Sequence, residues 1–144
     1  MTSPQAIIAK AYPRIVTPLV AAAKHSIDVI VYDWRWYPTV SGSPVSQFNA
    51  AFVAAAKRGV KVRALVNNDE IAVRLNALGI EAHRLHSDRM LHTKMLLIDG
   101  TLLVIGSHNF TERAFSMNEE ASVLVEFPSD EHDFSTYFEH LWSV

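Results

Sequence analysis

His92, Lys94, Ser107 and Asn109 fall within one eighteen-residue stretch, and their types and spacing could do chemistry together. An imidazole attacks phosphorus or moves protons near neutral pH. An ammonium and an amide hold the non-bridging oxygens of a phosphodiester as negative charge builds on them. A serine hydroxyl adds a phosphate contact or steadies one of the others. The four become a site only if the chain brings them to one patch.

The intervening sequence supplies a way to do so. Two apolar runs, Met95–Ile98 and Leu102–Ile105, flank Asp99-Gly100. An Asp-Gly pair between β-rich runs predicts a hairpin, because both central residues of a type I′ turn take positive φ. His92 and Lys94 then stand at the start of the first strand and share a face, since strand side chains alternate. Ser107 and Asn109 follow the second strand and return beside His92. Asp99 sits at the turn, away from that face, so its expected part is structural. Taken singly, each residue has a plainer reading: a surface histidine, a strand-edge lysine, a turn aspartate, an asparagine helix cap.

Around the hairpin the pattern alternates between strand and helix. Residues 1–11 read as a helical or irregular lead-in, with Ser3-Pro4 as a cap, and a helix follows over 13–24 despite Pro18. Ile27–Arg35 is rich in β-branched residues and predicts a strand on which Tyr32, Trp34 and Trp36 share a face. That aromatic cluster either stacks on a ligand or packs the core, and core packing is the favoured reading. The Pro38–Pro44 loop either borders a groove or merely connects. Ser46–Arg58 is a helical stripe ended by Gly59, Val60–Asn67 a buried strand, Asn68–Leu78 a helix and Ile80–Leu85 another strand. This β-α-β order implies parallel pairing with right-handed crossovers. Asn109 and Glu112 have capping-box character, so a short helix should open there and aim backbone N–H groups at a bound phosphate. Ala121–Phe127 forms a strand. Phe134, Tyr137, Phe138, Leu141 and Trp142 mark one face of a terminal helix.

Composition limits the alternatives. At 144 residues and 49% hydrophobic, the chain suits one domain, over 1–144, with a real core. With no cysteine it has no disulfide, thiolate metal site or thiol nucleophile. His83, His86 and Asp88 match no recognised metal spacing, and no metal or other cofactor is expected. The most apolar window, 6–23, is interrupted by Lys10, Arg14, Pro13 and Pro18, so a soluble, cytoplasmic protein without stable membrane association is expected. Net charge is only −2, but residues 57–94 carry eight basic groups against four acidic, whereas 95–144 carry Arg113 alone against nine acidic. A basic segment running into the motif favours a polyanionic partner such as nucleic acid.

The spacing His-x-Lys-x4-Asp-x6-Gly-Ser-x-Asn over 92–109 resembles the signature of the phospholipase D superfamily. The helix before Val31-Tyr32-Asp33, the Ala54–Val62 stretch and the terminal helix follow in that family's order. The resemblance implies an α/β fold, a mixed β-sheet flanked by helices on both faces. It implies catalytic roles for His92, Lys94 and Asn109, motif membership for Asp99, and an orienting role toward His92 for Glu120, with Glu119 as the register alternative. Many members hold two motifs in one chain, whereas this one holds one. The family's two-step displacement needs a second histidine to protonate the leaving oxygen, so the single motif implies a homodimer with His92 of each copy across the axis. The chain looks most like the single-motif, metal-independent bacterial endonucleases. A phospholipase or phosphatidyl transferase, and an inactive nucleic-acid-binding module, are the alternatives.

Overall fold

The Asp99-Gly100 turn is built as its sequence requires, with φ of 52° and 74°. Strands β5 (Met95–Ile98) and β6 (Leu102–Gly106) leave it antiparallel, and all four β5 residues are buried. Asp99 does more than turn the chain. Its carboxylate accepts N–H bonds from Lys24, His25 and Ser26 at 2.7–3.1 Å, pinning the segment that enters β2 (Ser26–Ile30).

The computed structural model describes residues 4–37 and 42–144. Within them β2 is central, antiparallel to β5 and parallel to β3 (Lys61–Val66), which pairs parallel with β4 (Glu81–Arg84). On the other side β6 pairs with β7 (Ala121–Glu126), and β7 with β1 (Gln5–Ile8), both antiparallel. The seven-stranded mixed sheet runs β1-β7-β6-β5-β2-β3-β4.

Helices cover both faces, unequally. One face carries α1 (Ala11–Ala21), α2 (Pro44–Lys57), α3 (Asp69–Ala77) and α4 (Glu112–Ser116), whose Val16, Phe48, Phe52, Leu75 and Phe115 join the main core. The caps follow from side-chain chemistry: Ser43, with Pro44 behind it, opens α2 and Asn68 opens α3. Among the described residues the opposite face carries only α5 (Asp133–Trp142), whose Phe138 is buried against a smaller cluster with Leu65, Leu97 and Leu103. Arg63 locks α5 down. Its guanidinium bonds the buried Asp28 at 2.8 Å, pairs with Glu139, and lies 4.8 Å over the Phe138 ring.

Four sequence expectations need correction. Residues 5–8 form an edge strand rather than a helical or irregular lead-in, because Ile7 is drawn into the core while Gln5, Ala6 and Ile8 stay exposed; Ser3 lies outside the described residues. The first helix runs 11–21, and Pro13 falls in its first turn, where an N–H has no intrahelical partner to lose. The strand expected over 27–35 stops at Ile30. Beyond it Val31 keeps one bond to Leu65 and residues 33–35 are tied by single contacts to Asn49 and 109–110, so Tyr32 and Trp34 turn to different surroundings. Finally, Thr111 rather than Asn109 caps α4, its side chain accepting the Ala114 N–H at 3.1 Å. The Glu112 N–H is taken by Tyr37 Oη at 3.2 Å, so these donors are not free for a phosphate.

Candidate active site

The antiparallel pairings place four strand ends together: the end of β2, the start of β5, the end of β6 and the start of β7. His92 and Lys94 precede β5 in an extended segment, with the Gly106 N–H donating to the Lys94 carbonyl at 3.3 Å. They share a face as expected. Lys94 Nζ lies 3.0 Å from His92 Nδ1 and 3.3 Å from Nε2. An ammonium only donates, so whichever ring nitrogen takes its hydrogen bond does so through a lone pair. The Tyr32 ring closes the other side, 5.0 Å from the His92 ring and 5.7 Å from Lys94 Nζ. Partial burial lowers the Lys94 ammonium below the usual lysine range, while the charge of Glu120 pulls it back.

Ser107 and Glu120 form a second unit. Ser107 Oγ donates to Glu120 Oε1 at 2.6 Å and accepts the Ala121 N–H at 3.0 Å, while Asn118 Nδ2 donates to Glu120 Oε2 at 3.1 Å. Both Glu120 oxygens therefore have partners, and it makes no hydrogen bond to His92 within the chain. Its influence on the histidine side runs through the charge of Lys94. Glu119, the register alternative, is exposed. Asn109 is half-buried, and its Oδ1 accepts the Asp33 N–H at 3.1 Å. That bond fixes the amide, and among the described residues its Nδ2 has no protein partner.

Asp99 stands at the far tip of the hairpin. Partial burial opposes its charge, but the His25, Ser26 and Lys24 N–H groups outweigh this and hold the carboxyl below the usual range. A depressed carboxyl contributes stability above its unfolded value, about 3.9, and loses it as pH falls through the folded value. Asp99→Ala should therefore cost about 2–3 kcal/mol at neutral pH, where three N–H groups lose a charged acceptor. Urea unfolding at pH 7 and pH 3 checks this, and the gap between variant and parent should narrow at pH 3.

His108, inside the motif, was given no role by its sequence. It is 1% exposed, stacked on Tyr12 at 4.4 Å, with Nδ1 on Ser122 Oγ at 2.7 Å and Nε2 on the Ala9 carbonyl at 2.8 Å. Burial pushes its pKa down, against the pull of the Ala9 carbonyl and Glu120. Both nitrogens are engaged, so it cannot act as a second proton carrier beside His92. Trp34, also buried, donates from Nε1 to Asn49 Oδ1 at 2.7 Å and packs edge-on to Phe110, so it belongs to the core. Sequence reasoning missed Asn118, whose only signal was its place two residues before Glu120. It also missed the contact of Tyr32 with His92, which the shared-face expectation obscured. Residues 38–41 of the Pro38–Pro44 loop lie outside the described residues.

A cavity of about 960 Å³ lies at the opposite end of the sheet, lined by Ser26, Asp28, Arg63, Gly100, His132 and Glu139. It includes none of the motif's His92, Lys94, Ser107 or Asn109. His83 lies edge-on to Trp142, and no cluster of three metal-ligating side chains occurs among the described residues. Nor, among them, is any helix long and apolar enough to cross a membrane.

With sheet order, hairpin and site geometry in place, comparison with known proteins gives the family. Residues 16–142 match the family model described as "Cardiolipin synthase, PLD-like domain", and the chain belongs to the phospholipase D superfamily. It is 26% identical over 138 residues to the mitochondrial cardiolipin hydrolase of Xenopus laevis, covering 92% of this chain and 61% of that protein. It is 31% identical over 99 residues to a probable cardiolipin synthase of Bacillus subtilis, covering 61% of this chain and 20% of that one. The chain thus spans about two-fifths to three-fifths of the length of the cardiolipin hydrolases it matches. Among solved structures, Nuc from Salmonella typhimurium, a phospholipase D family member, superposes with a TM-score of 0.79 at 22% identity, covering 98% of this chain and 95% of that one. The phosphatidylserine synthase of Haemophilus influenzae gives a TM-score of 0.72 at 10% identity, covering 96% of this chain and 37% of that one. These structural likenesses establish the fold.

Proposed function

We propose that the protein is a metal-independent phosphodiesterase, acting as a nuclease on DNA or RNA through a phosphohistidine in a homodimeric site. The observation that carries this is the adjacency of His92 and Lys94 at the sheet end that also holds Asn109 and the Ser107–Glu120 pair. One His92 attacks phosphorus with a ring-nitrogen lone pair, and the bond to the leaving oxygen breaks. His92 of the second copy gives that oxygen its proton. The same second imidazole then takes a proton from water, whose oxygen attacks phosphorus and breaks the phosphorus–nitrogen bond. Lys94 and Asn109 of both copies hold the non-bridging oxygens. Glu120 steadies the Lys94 charge and, through Ser107, the loop after β6.

One imidazole cannot stand on both sides of phosphorus, and His108 is sealed in the core, which supports the dimer. An exposed apolar side chain near the site supports the same reading. On the α5 face of the sheet, Ile8 is 58% exposed beside its cross-strand partner Ala121, and the half-buried Val123 and Ile105 follow on the same face. The basic 57–94 segment and the burial of Trp34, which removes one candidate membrane anchor, favour nucleic acid. Similarity to cardiolipin hydrolases and synthases favours a second reading, hydrolysis or transfer on a phospholipid, with the same residues in the same roles. An inactive binding module is disfavoured because every motif residue is present.

The test is incubation of purified protein with single-stranded DNA, duplex DNA, RNA and phosphatidylcholine vesicles in EDTA. Nucleic acid is expected to be cut in EDTA. Activity lost in EDTA and restored by Mg²⁺ overturns the metal-independent mechanism, and turnover of phospholipid alone selects the second reading.

A further inference from the structure

A polar cavity of about 480 Å³ lies beside the candidate site, lined by Asp33, Arg35, Tyr37, Glu112, Arg113 and Met117 among others. It is fastened to the site from two sides. On one, Asp33 donates its N–H to Asn109 Oδ1 at 3.1 Å and its carbonyl accepts the Phe110 N–H at 3.0 Å. On the other, the Arg113 carbonyl accepts the Asn118 N–H at 2.7 Å, and Asn118 holds Glu120. Asn109 and Thr111, which also lines the cavity, are two residues apart, at most about 7 Å along the chain.

The cavity's groups are unequally committed. Arg35 Nε is paired with Asp33 at 2.9 Å, which leaves the terminal guanidinium nitrogens of Arg35 open. Arg113 has no ion-pair partner among the described residues, and it is the only basic residue in the last fifty of the chain. Its backbone is fixed, because its carbonyl also takes the Met117 N–H at 2.9 Å. Met117 is 67% exposed at the rim and offers an apolar, polarizable surface. Glu112 contributes an acceptor.

From this arrangement we propose that the cavity is a nucleotide subsite, taking the phosphate and base next to the scissile diester. Arg113 and the open edge of Arg35 hold the phosphate. Met117 lies against the base, and Glu112 accepts from an exocyclic amino group. Two arginines, an exposed methionine and a carboxylate lining one pocket fit a nucleotide better than the glycerol and acyl chains of a lipid. The inference rests on the nuclease reading and adds to it a contact beyond the reacting phosphate.

The test compares Arg113→Gln and Arg113→Lys with the unaltered protein on three substrates: a single-stranded octanucleotide, bis(p-nitrophenyl) phosphate and phosphatidylglycerol vesicles. Arg113 is exposed, and thermal unfolding checks that both variants remain folded. Arg113→Gln is expected to lower kcat/KM on the octanucleotide by about tenfold more than on the small diester. The salt dependence of octanucleotide binding should fall by about one phosphate contact, and Arg113→Lys should recover part of both. Equal losses on both substrates, or none, overturn the subsite while leaving the nuclease reading intact. A greater loss on vesicles than on the octanucleotide assigns the cavity to a lipid headgroup and overturns it too. If the unaltered protein cuts no oligonucleotide, the nuclease reading falls, and the nucleotide subsite with it.

Discussion

His92→Ala is expected to remove essentially all turnover, by about 10⁴-fold or more, because one substitution deletes both the nucleophile and the proton carrier of a shared site. Folding should be untouched. His92 is exposed, its contacts are Lys94 and the Tyr32 ring, and it supports no strand of the sheet. Dimerisation should also survive, since the His92 imidazole is not among the apolar side chains of Ile8, Val123 and Ile105. Stoichiometry then becomes a diagnostic. If variant and unaltered subunits are mixed in equal amounts and allowed to exchange, only dimers with two intact histidines work, and activity should fall to about a quarter, the square of the intact fraction. A fall to one half would mean that each subunit acts alone. Activity at the parental level in the purified variant would remove His92 from the mechanism.

The motif was legible because its logic is local. Asp99-Gly100 demands a turn, the apolar runs demand paired strands, and the alternation of strand faces brings His92 to Lys94 without reference to the rest of the chain. The β-α-β run from β2 to β4 was legible for the same reason, as each element carries its own periodicity and cap. What could not be read were partnerships set by distant segments. Residues 5–8 form a strand only because β7 offers an edge more than a hundred residues later. Residues 31–37 look like a strand by composition, yet their backbone partners come singly from Leu65, Asn49, Asn109 and Phe110, and the aromatic side chains divide between site and core. Glu120 was found by its position, but its partners were not. Ser107 and Asn118 reach it through the turn between α4 and β7, which no periodicity encodes.

Gly106 joins these two kinds of information, and Gly106→Ala carries the second large expectation. Its backbone needs no left-handed φ; the requirement is room. A Cβ there would fall on Ser122 Oγ, the Ala121 carbonyl oxygen and Ser122 Cα, where β6 and β7 are paired. Two of the three are backbone atoms, so relief requires the strands to part. Parting them strains the Ser107 N–H bond to Ala121, the Ser107 Oγ bond to the Ala121 N–H, and the Ser122 bond to buried His108. The cost should be about 3 kcal/mol, the upper end of what forced overpacking costs, because backbone atoms must move. Activity should fall further than stability. A displacement of about 1 Å in the Ser107–Glu120 unit is enough to cost about 10²-fold in rate, even when assayed well below the melting temperature. Gly59→Ala separates strain from site damage. Gly59 has φ of 98° with nothing near its Cβ position, and it follows α2. That variant should lose about 1 kcal/mol through its backbone and keep its kcat. If Gly106→Ala instead keeps parental kcat and melts no lower than Gly59→Ala, the β6–β7 contact does not position the site, and the motif's glycine needs another explanation.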